Sequence, residues 1–449
     1  MTSAPSASQP RAPRLVVRGP DMMPAIVPHL VGFHPERSVV AVGLGPDGRT
    51  VGVTMRVDIP VPGDRTSQLT REMWTPCIGA LTSVAAHDVI LLLYPHAADD
   101  PWRDDDLARD LPDRDLLAEI AAFLEDAGMN PLDALCVVGE RWRSYWCADP
   151  RCCPTTGRTV DPEEAMRARL MFVQHGSAPL ASRRDLVASL EPRPDDDPLR
   201  MRVLALRASS VPAASAVGDL VSDTVPDLVS DIDEFVAAIG RWGDDPSDAA
   251  GLEALAARAF GFCEVIPSRD LLLRALTVGG DRDLLVPTRA VLSEAVRCAD
   301  RASVAPLATV LAVCAWVSGA GAAARVALDR AVEVAPAYSL AGLVTAALDA
   351  GTPPWTWSAM MADLSVEEIL EAGRVRTPQP GSPQVAAALV ELGVASLDEL
   401  AELVVDDADS AEPQEDWDDD WDDESDDDTD DDTDDESDDG EGAVEPGAL

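Results

Sequence analysis

The chain has 449 residues and a formal net charge of −46, with 81 acidic residues against 35 basic ones. Every basic residue is arginine, so the composition excludes a Walker lysine, a Schiff-base lysine and a lysine general base. The acidic balance argues against a protein that binds nucleic acid directly or coats an anionic membrane.

The length indicates about two or three domains, and an apolar fraction of 46% suffices for a sizeable core. The first residues, MTSAPSASQPRAPR, contain no apolar segment of the kind that a secretory signal needs. The eight cysteines therefore indicate thiols of a cytoplasmic protein, not a disulfide framework. Pro306, Gly319 and Gly321 interrupt the uncharged stretch from Ala302 to Ala324, which favours a buried helix and a turn over a membrane span.

Strand and helix signals alternate in the first half of the chain. Residues 1–13 are expected to be disordered. The strands are predicted at Arg14–Arg18, Ser38–Leu44, Thr50–Ile59, Asp88–Tyr94 and Ala134–Val138, with Arg141–Cys147 as an edge hairpin partner that has one polar face. The helices are predicted at Pro20–Leu30, 66–86, Pro112–Ala127, 161–175 and 183–190. This order predicts an α/β domain over residues 14–190, with a mixed sheet layered with helices.

Strand signals vanish after a Pro- and Asp-rich linker at 191–198. Residues 199–349 are predicted to form an all-α domain, and residues 350–405 a short helical extension. Ala324, Leu328, Ala331 and Pro336 match the second helix of a tetratricopeptide repeat, which predicts a partly TPR-like domain. A lone hairpin inside an ordinary helical domain explains the same residues.

Residues 406–449 form an Asp-rich tail that holds 25 of the 81 acidic residues and no arginine. The other 56 acidic residues stand against all 35 arginines, so residues 1–405 carry −21. Charge repulsion and the lack of apolar residues predict a disordered, low-complexity tail. Trp417 and Trp421 could dock it on a basic, apolar groove of a partner, while a solubilising role is the alternative. Hydroxyl residues recur every four positions at Ser425, Thr429, Thr433 and Ser437. They are candidate phosphorylation sites, and a low-complexity repeat is the alternative explanation.

The segment from Gly43 to Gly48 matches the glycine pattern of a dinucleotide-binding loop, but a strand follows it where such a loop needs a helix. Pro46-Asp47-Gly48 instead predicts a hairpin turn. The sequence contains no nucleophile elbow and no closely paired histidines, so no catalytic constellation is predicted.

A group of cysteines carries the most unusual pattern of the chain. Cys147, Cys152 and Cys153 lie in a short loop, and Cys136 lies in the preceding buried strand. Four thiols could hold zinc, which favours tetrahedral thiolates, although the spacing differs from C-x₂-C. A redox pair activated by neighbouring arginines is a second alternative, and inert structural thiols are a third.

Four segments carry a family resemblance: RLVVRGPDMMPAIVPHLVGFHPERSVVAVGL, TMRVDIP, ERWRSYWCADPRCCPTTG and VALDRAVEVAPAYSLAGLV. They resemble an actinobacterial family known as domain of unknown function number 4192. The resemblance covers about residues 14–350 and implies a host and a domain extent, but no reaction. It also implies family-typical positions at Arg37, Arg56, Asp58, Arg141, Ser144, Cys147, Cys152 and Cys153.

Three hypotheses of function follow. The first is a cytoplasmic interaction or regulatory protein, without predicted enzymatic activity, that contacts a partner protein through its helical domain or acidic tail. The second is a ligand-binding or enzymatic α/β domain, because arginines at strand ends suit a phosphate or carboxylate. Its candidate residues are Arg37, Arg56, Asp58, Arg141 and Ser144. The third is a zinc or thiol-redox protein, with zinc as the candidate cofactor, that uses Cys136, Cys147, Cys152 and Cys153.

Overall fold

In the computed structural model the described residues run from 19 to 376, except for 46, 49, 62, 103–109, 175–176, 210–224 and 280–281. They belong to one compact unit that ends at Thr377. The predictions for residues 1–18 and 377–449, which include the strand at Arg14–Arg18 and the acidic tail, lie outside the described residues.

A six-stranded sheet forms the centre of the N-terminal part. Its strands are β1 (Ser38–Leu44), β2 (Val51–Asp58), β3 (Asp88–Tyr94), β4 (Asn130–Val138), β5 (Arg141–Ser144) and β6 (Arg158–Thr159). Their order is β2-β1-β3-β4-β5-β6, with β3 and β4 parallel and every other neighbouring pair antiparallel. The predicted mixed sheet is confirmed, and β1 and β3 have the predicted bounds.

Helices cover both faces of this sheet. They are α1 (Met23–Val31), α2 (Ser67–Ser83), α3 (Arg114–Asp126), α4 (Pro162–Gln174) and α5 (Arg183–Ala188). Side chains alternate between the faces of a strand, so Val39 and Ala41 of β1 pack with α2 and α3, whereas Val40 and Val42 pack with α1 and α4. Burial of both faces explains the continuous apolar runs of β1 and β3.

The glycine-rich segment after β1 is a hairpin turn, as its sequence predicts. The backbone N–H of Gly45 donates to the carbonyl of Thr50 at 2.8 Å, and the Asp47 carboxylate accepts from the N–H of Thr50 at 2.8 Å. Gly48 has a φ of 63°, a left-handed conformation that costs glycine little. The strand β2 follows the turn, so the segment lacks the helix that a dinucleotide-binding loop requires.

Two strand predictions near the cysteine loop differ from the structure. The strand β4 begins at Asn130 instead of Ala134, because it pairs with β3 as far back as Asp88. The strand predicted at Arg141–Cys147 ends at Ser144 and is not an edge strand, since β6 pairs along its outer side. With only two residues, both exposed, β6 carries no periodic signal that a sequence could reveal.

The described elements after residue 197 are all helical. The α-helices are α6 (Pro198–Ser209), α7 (Val225–Asp244), α8 (Ala249–Cys263), α9 (Ile266–Thr277), α10 (Leu285–Cys298), α11 (Arg301–Val317), α12 (Gly321–Val334), α13 (Ser339–Asp349), α14 (Pro354–Asp363) and α15 (Val366–Arg376). The helix α11 is buried from Ser303 to Val317 and accounts for most of the uncharged stretch. No helix in the described part of the chain has the length and apolarity needed to cross a membrane.

The helical hairpin α11–α12 contains the residues that suggested a tetratricopeptide repeat. Ala324, Leu328 and Ala331 are buried on α12, which packs against α11. The TPR-like assignment itself remains a prediction. So do the domain boundaries, although Arg193, in the segment predicted as a linker, is ion-paired with Glu294 of α10 at 2.5 Å.

Candidate functional site

The register of the sheet brings several strand ends to one edge. Ser38, the first residue of β1, lies opposite both Asp58 at the end of β2 and Tyr94 at the end of β3. The strand β4 runs parallel to β3, so its end at Val138 points to the same edge. Ligands of open α/β sheets bind at the carboxyl ends of strands. A cleft of about 820 Å³ lies at this edge, lined also by residues of α1 and α4.

Three imidazoles line this strand-end cleft: His29 of α1, His34 before β1, and His96 after β3. The ring of His29 stacks on Phe172 with centroids 4.8 Å apart, and burial lowers its pKa, so the ring favours the neutral form. The Nδ1 atom of His96 accepts the N–H of Ala98 at 3.0 Å. A neutral His96 ring therefore carries its proton on Nε2.

Tyr94 lines the same cleft with a buried hydroxyl. That oxygen has no hydrogen-bond partner among the described residues. Burial raises the pKa of Tyr94 far above its ordinary value, so the group stays a phenol and keeps a proton to donate. A buried hydroxyl without a protein partner costs about 1–3 kcal/mol, which a polar ligand atom at hydrogen-bond distance would offset.

A smaller recess of about 410 Å³ adjoins the cleft and shares three lining residues with it. We call it the arginine recess, because its lining includes Arg37, Arg56, Arg183 and Arg184. Three residues predicted from the sequence as ligand-binding, Arg37, Arg56 and Asp58, therefore meet here. The antiparallel β1–β2 hairpin explains the meeting, since it places the start of β1 beside the end of β2.

The arginines of the recess differ in their partners. Arg56 donates to the Asp58 carboxylate at 2.6 Å and to the carbonyl of Glu36 at 3.2 Å, and Arg183 lies 3.6 Å from the Asp329 carboxylate. Arg37 and Arg184 are exposed, and within the described part of the chain their side chains have no carboxylate partner. The backbone of Arg37 has a φ of 46°, a conformation that costs a non-glycine residue about 1 kcal/mol or more.

The two other residues predicted for this site lie elsewhere. The guanidinium of Arg141 lies 5.8 Å from the centre of the Trp102 ring, outside both the cleft and the recess. The Ser144 hydroxyl donates to the Asp133 carboxylate at 2.6 Å and accepts the backbone N–H of Cys147 at 3.0 Å. Ser144 therefore organises the cysteine loop.

The cysteine loop brings together three of the four thiols considered from the sequence. The sulfur atoms of Cys147, Cys152 and Cys153 all lie within 4.8 Å of one another. The backbone N–H of Asp149 and the thiol of Cys153 donate to the sulfur of Cys147, which lowers its pKa. Burial raises the pKa of Cys153 to about 11.

Cys136 does not join this group. It lies on the face of β4 that packs against α2 and α3, while Cys153 packs on the opposite face of the sheet. Burial raises the pKa of Cys136 to about 12, as expected for an inert thiol. Among the described residues, one group of three or more histidine, cysteine or acidic side chains is close enough to share a metal ion, and it consists of the three loop cysteines.

The sequence profile of one family, described as "Domain of unknown function (DUF4192)", matches residues 20–355. The chain belongs to this family. The DUF4192 region contains the cleft, the arginine recess and the cysteine loop, and its description assigns no activity. No curated protein and no solved structure matches the chain.

Sequence reasoning missed several residues of the cleft and of the arginine recess in the DUF4192 region. Tyr94 is predicted only as the end of a buried strand, and His29, His96 and Arg184 come from separate segments. The rule that ligands bind at strand ends could have drawn attention to Tyr94 and His96. Trp417 and Trp421, on which the tail-interaction hypothesis rests, lie outside the described residues, so that hypothesis remains a prediction.

Proposed function

We propose that the α/β part binds a small molecule that carries a phosphate or carboxylate group. The arginine recess would hold the anionic group, and the strand-end cleft would hold the rest of the ligand. The observation that carries this proposal is that Arg37 and Arg184 line one recess without a carboxylate partner among the described residues. No reaction is part of the proposal.

The lining of the arginine recess has an excess of positive charge, because four arginines accompany two carboxylates, Glu36 and Asp58. Acidic residues outnumber arginines by 81 to 35 in the chain, so this local excess is opposite to the overall charge. Two guanidinium groups that line one recess repel each other, and a bound anion would relieve that repulsion. Guanidinium groups also match the geometry of phosphate and carboxylate oxygens, with two parallel hydrogen bonds from one side chain.

The cleft suits the rest of such a ligand. Its volume of about 820 Å³ falls in the range of ordinary small-molecule sites. Pro24, Pro28, Val137 and Val173 supply apolar contact area. The buried hydroxyl of Tyr94 and the three imidazoles supply polar contacts. We infer a ligand whose body is apolar or heteroaromatic and has at least one hydrogen-bond acceptor.

A thermal-shift screen of the full chain tests the proposal. The panel comprises inorganic phosphate, sugar phosphates, nucleotides and di- and tricarboxylates, because a ligand that binds the folded state raises its melting temperature. The affinity of a compound that stabilises the chain is then measured by calorimetry. Arg37→Gln and Arg184→Gln should each weaken binding about tenfold or more, the loss expected for a charged hydrogen bond.

Two further variants sharpen the result. Arg301→Gln removes an exposed arginine at the start of α11 and should leave binding unchanged. Tyr94→Phe removes a hydroxyl without an intramolecular partner, so the free protein should keep its stability while affinity falls about threefold to tenfold. A panel in which nothing stabilises the chain, or equal losses in the Arg37, Arg184 and Arg301 variants, would refute the proposal.

A further inference from the structure

The three thiols of the cysteine loop converge although their environments differ. Cys153 is buried, Cys147 is half-buried and Cys152 is exposed, yet their sulfur atoms lie within 4.8 Å of one another. Burial as a small apolar side chain accounts for Cys153 and for Cys147, which packs partly buried against the same core. It gives no reason for the exposed Cys152 to lie beside the other two sulfurs.

Backbone hydrogen bonds give the loop its shape. The N–H groups of Cys152 and Cys153 both donate to the carbonyl of Asp149, at 3.0 and 2.7 Å. The carbonyl of Cys152 accepts from the guanidinium of Arg158 at 3.3 Å. At the start of the loop, the Ser144 hydroxyl accepts the N–H groups of Trp146 and Cys147. These bonds fix the backbone of the loop from which the three thiols project.

We propose that Cys147, Cys152 and Cys153 bind one Zn²⁺ ion through three thiolates, with the fourth position open to water or an external ligand. Each thiol gives up its proton to solvent when the ion binds. Within the described residues, no fourth histidine, cysteine or carboxylate joins the cluster. The exposed side of the site, at Cys152, is where the open position would lie.

The distances fit this assignment with a small adjustment. A Zn–S bond of about 2.3 Å in tetrahedral geometry separates two sulfur ligands by about 3.8 Å. The present limit of 4.8 Å thus requires a contraction of about 1 Å at most, within reach of side-chain rotation.

A bound ion would brace one wall of the strand-end cleft. The cysteine loop connects β5 to β6, and β6 is held to the sheet by two residues only. Val160, directly after β6, and Glu140, directly before β5, both line the cleft. The zinc proposal nevertheless stands apart from the proposed anion site, since neither set of residues includes a member of the other.

The experiment measures zinc in the full chain after reduction, loading with Zn²⁺ and removal of excess ion. About one zinc per chain is expected from the wild type, and substitution of cobalt should give thiolate-to-metal absorption bands. Cys147→Ala and Cys152→Ala should each lose the bound zinc. Neither residue is fully buried, so both variants should fold, which circular dichroism would verify.

Cys136→Ala is the matched control, because that thiol lies on the other face of the sheet. It should retain about one zinc per chain. Three results would overturn the proposal: no zinc in the reduced and loaded wild type, zinc that survives loss of Cys147 or Cys152, or zinc that disappears with Cys136. If the reduced chain binds no zinc and two of the loop cysteines form a disulfide on oxidation, the loop is a redox pair and not a metal site.

Discussion

The hydroxyl of Ser144 donates to the carboxylate of Asp133 at 2.6 Å, and this pair joins the strand β5 to the segment of β4 beside it. The same oxygen accepts the backbone N–H groups of Trp146 and Cys147. Burial raises the pKa of Asp133, and the hydrogen bond from Ser144 counteracts part of that rise. The Ser144 side chain thus bonds both a half-buried carboxyl and the start of the cysteine loop.

Ser144→Ala should therefore lower the free energy of unfolding by about 1–3 kcal/mol, since two backbone N–H groups lose their acceptor and the half-buried Asp133 carboxylate keeps only the N–H of Ala134. The measurement is urea denaturation at pH 7. Ser189→Ala is the control, because its exposed hydroxyl bonds only the nearby carbonyl of Leu186 and should cost about 0.5 kcal/mol or less. Equal losses in the two variants would contradict the role assigned to Ser144.

Gly351 lies against the helix α2. Its φ is 64°, its carbonyl accepts the Ser83 hydroxyl at 3.0 Å, and an added Cβ would overlap Cα and Cβ of Ala80. Gly351→Ala should therefore cost about 3 kcal/mol or more, from backbone strain and a clash with helix backbone.

Gly279→Ala separates these two causes. Gly279 has nearly the same φ, 63°, but no atom lies within 4 Å of its added Cβ. Its substitution should cost about 1 kcal/mol, from strain alone. Thermal or urea unfolding of both variants provides the comparison. If Gly351→Ala and Gly279→Ala lower the free energy of unfolding equally, the close approach of Gly351 to Ala80 makes no contribution and this explanation is wrong.

Glu294 pairs with Arg193 through two hydrogen bonds, at 2.5 and 3.0 Å, in a largely buried setting. The Glu294 side chain is 9% exposed. Glu294→Gln should lower the free energy of unfolding by about 2 kcal/mol, because Arg193 and Arg297 lose a largely buried carboxylate and Arg193 keeps only Asp197 as a charged partner. Glu333→Gln, in a pair whose carboxylate is 69% exposed, should cost about 0.5 kcal/mol or less. Urea denaturation that ranks the two variants the other way would contradict this assignment.

The pair of Arg202 and Glu253 predicts a pH dependence. Two hydrogen bonds from Arg202, at 2.6 and 2.8 Å, lower the pKa of Glu253 below its ordinary value of 4.5. A lowered folded pKa contributes stability that is complete above the unfolded pKa and is lost as the pH falls through the folded pKa. Arg202→Gln should therefore destabilise the chain at pH 7 and make little difference once Glu253 is protonated in both proteins.

Urea midpoints of the wild type and Arg202→Gln, measured from pH 7 down to pH 3, provide the test. The two curves should converge below pH 4.5. Arg330→Gln is the control, since its partner Glu333 is mostly exposed, and its smaller effect should vary little with pH. A gap between wild type and Arg202→Gln that stays constant over this range would rule out the linkage.

Local patterns predicted some elements well and others poorly. Ser38–Leu44 and Asp88–Tyr94 have the predicted bounds, because strands buried on both faces need continuous apolar runs. Asn130 was missed as the start of β4, since pairing with β3 extends that strand beyond its apolar residues. The strand β6 was missed because its existence depends on its neighbour β5.

Some residues of the candidate site could likewise be predicted from local sequence patterns, and others could not. Arg37, Arg56 and Asp58 could be placed together from the sequence, because a hairpin with a recognisable turn joins their strands. Arg184 joins them from a helix more than a hundred residues later, and no local pattern predicts that approach. Tyr94 became a candidate only when its hydroxyl proved buried without a partner among the described residues.

The sequence by itself determined the mixed α/β arrangement, the helical second half, the absence of lysine chemistry and the membership of the family. These properties follow from composition, from local periodicity and from motifs that lie together along the chain. Only the tertiary structure decided which thiols meet and which arginines share a recess. The alternation of side chains across β4 sends Cys136 to one face, while loop hydrogen bonds gather Cys147, Cys152 and Cys153 on the other. Such groupings depend on strand register and helix packing between distant segments, and a linear pattern does not encode them locally.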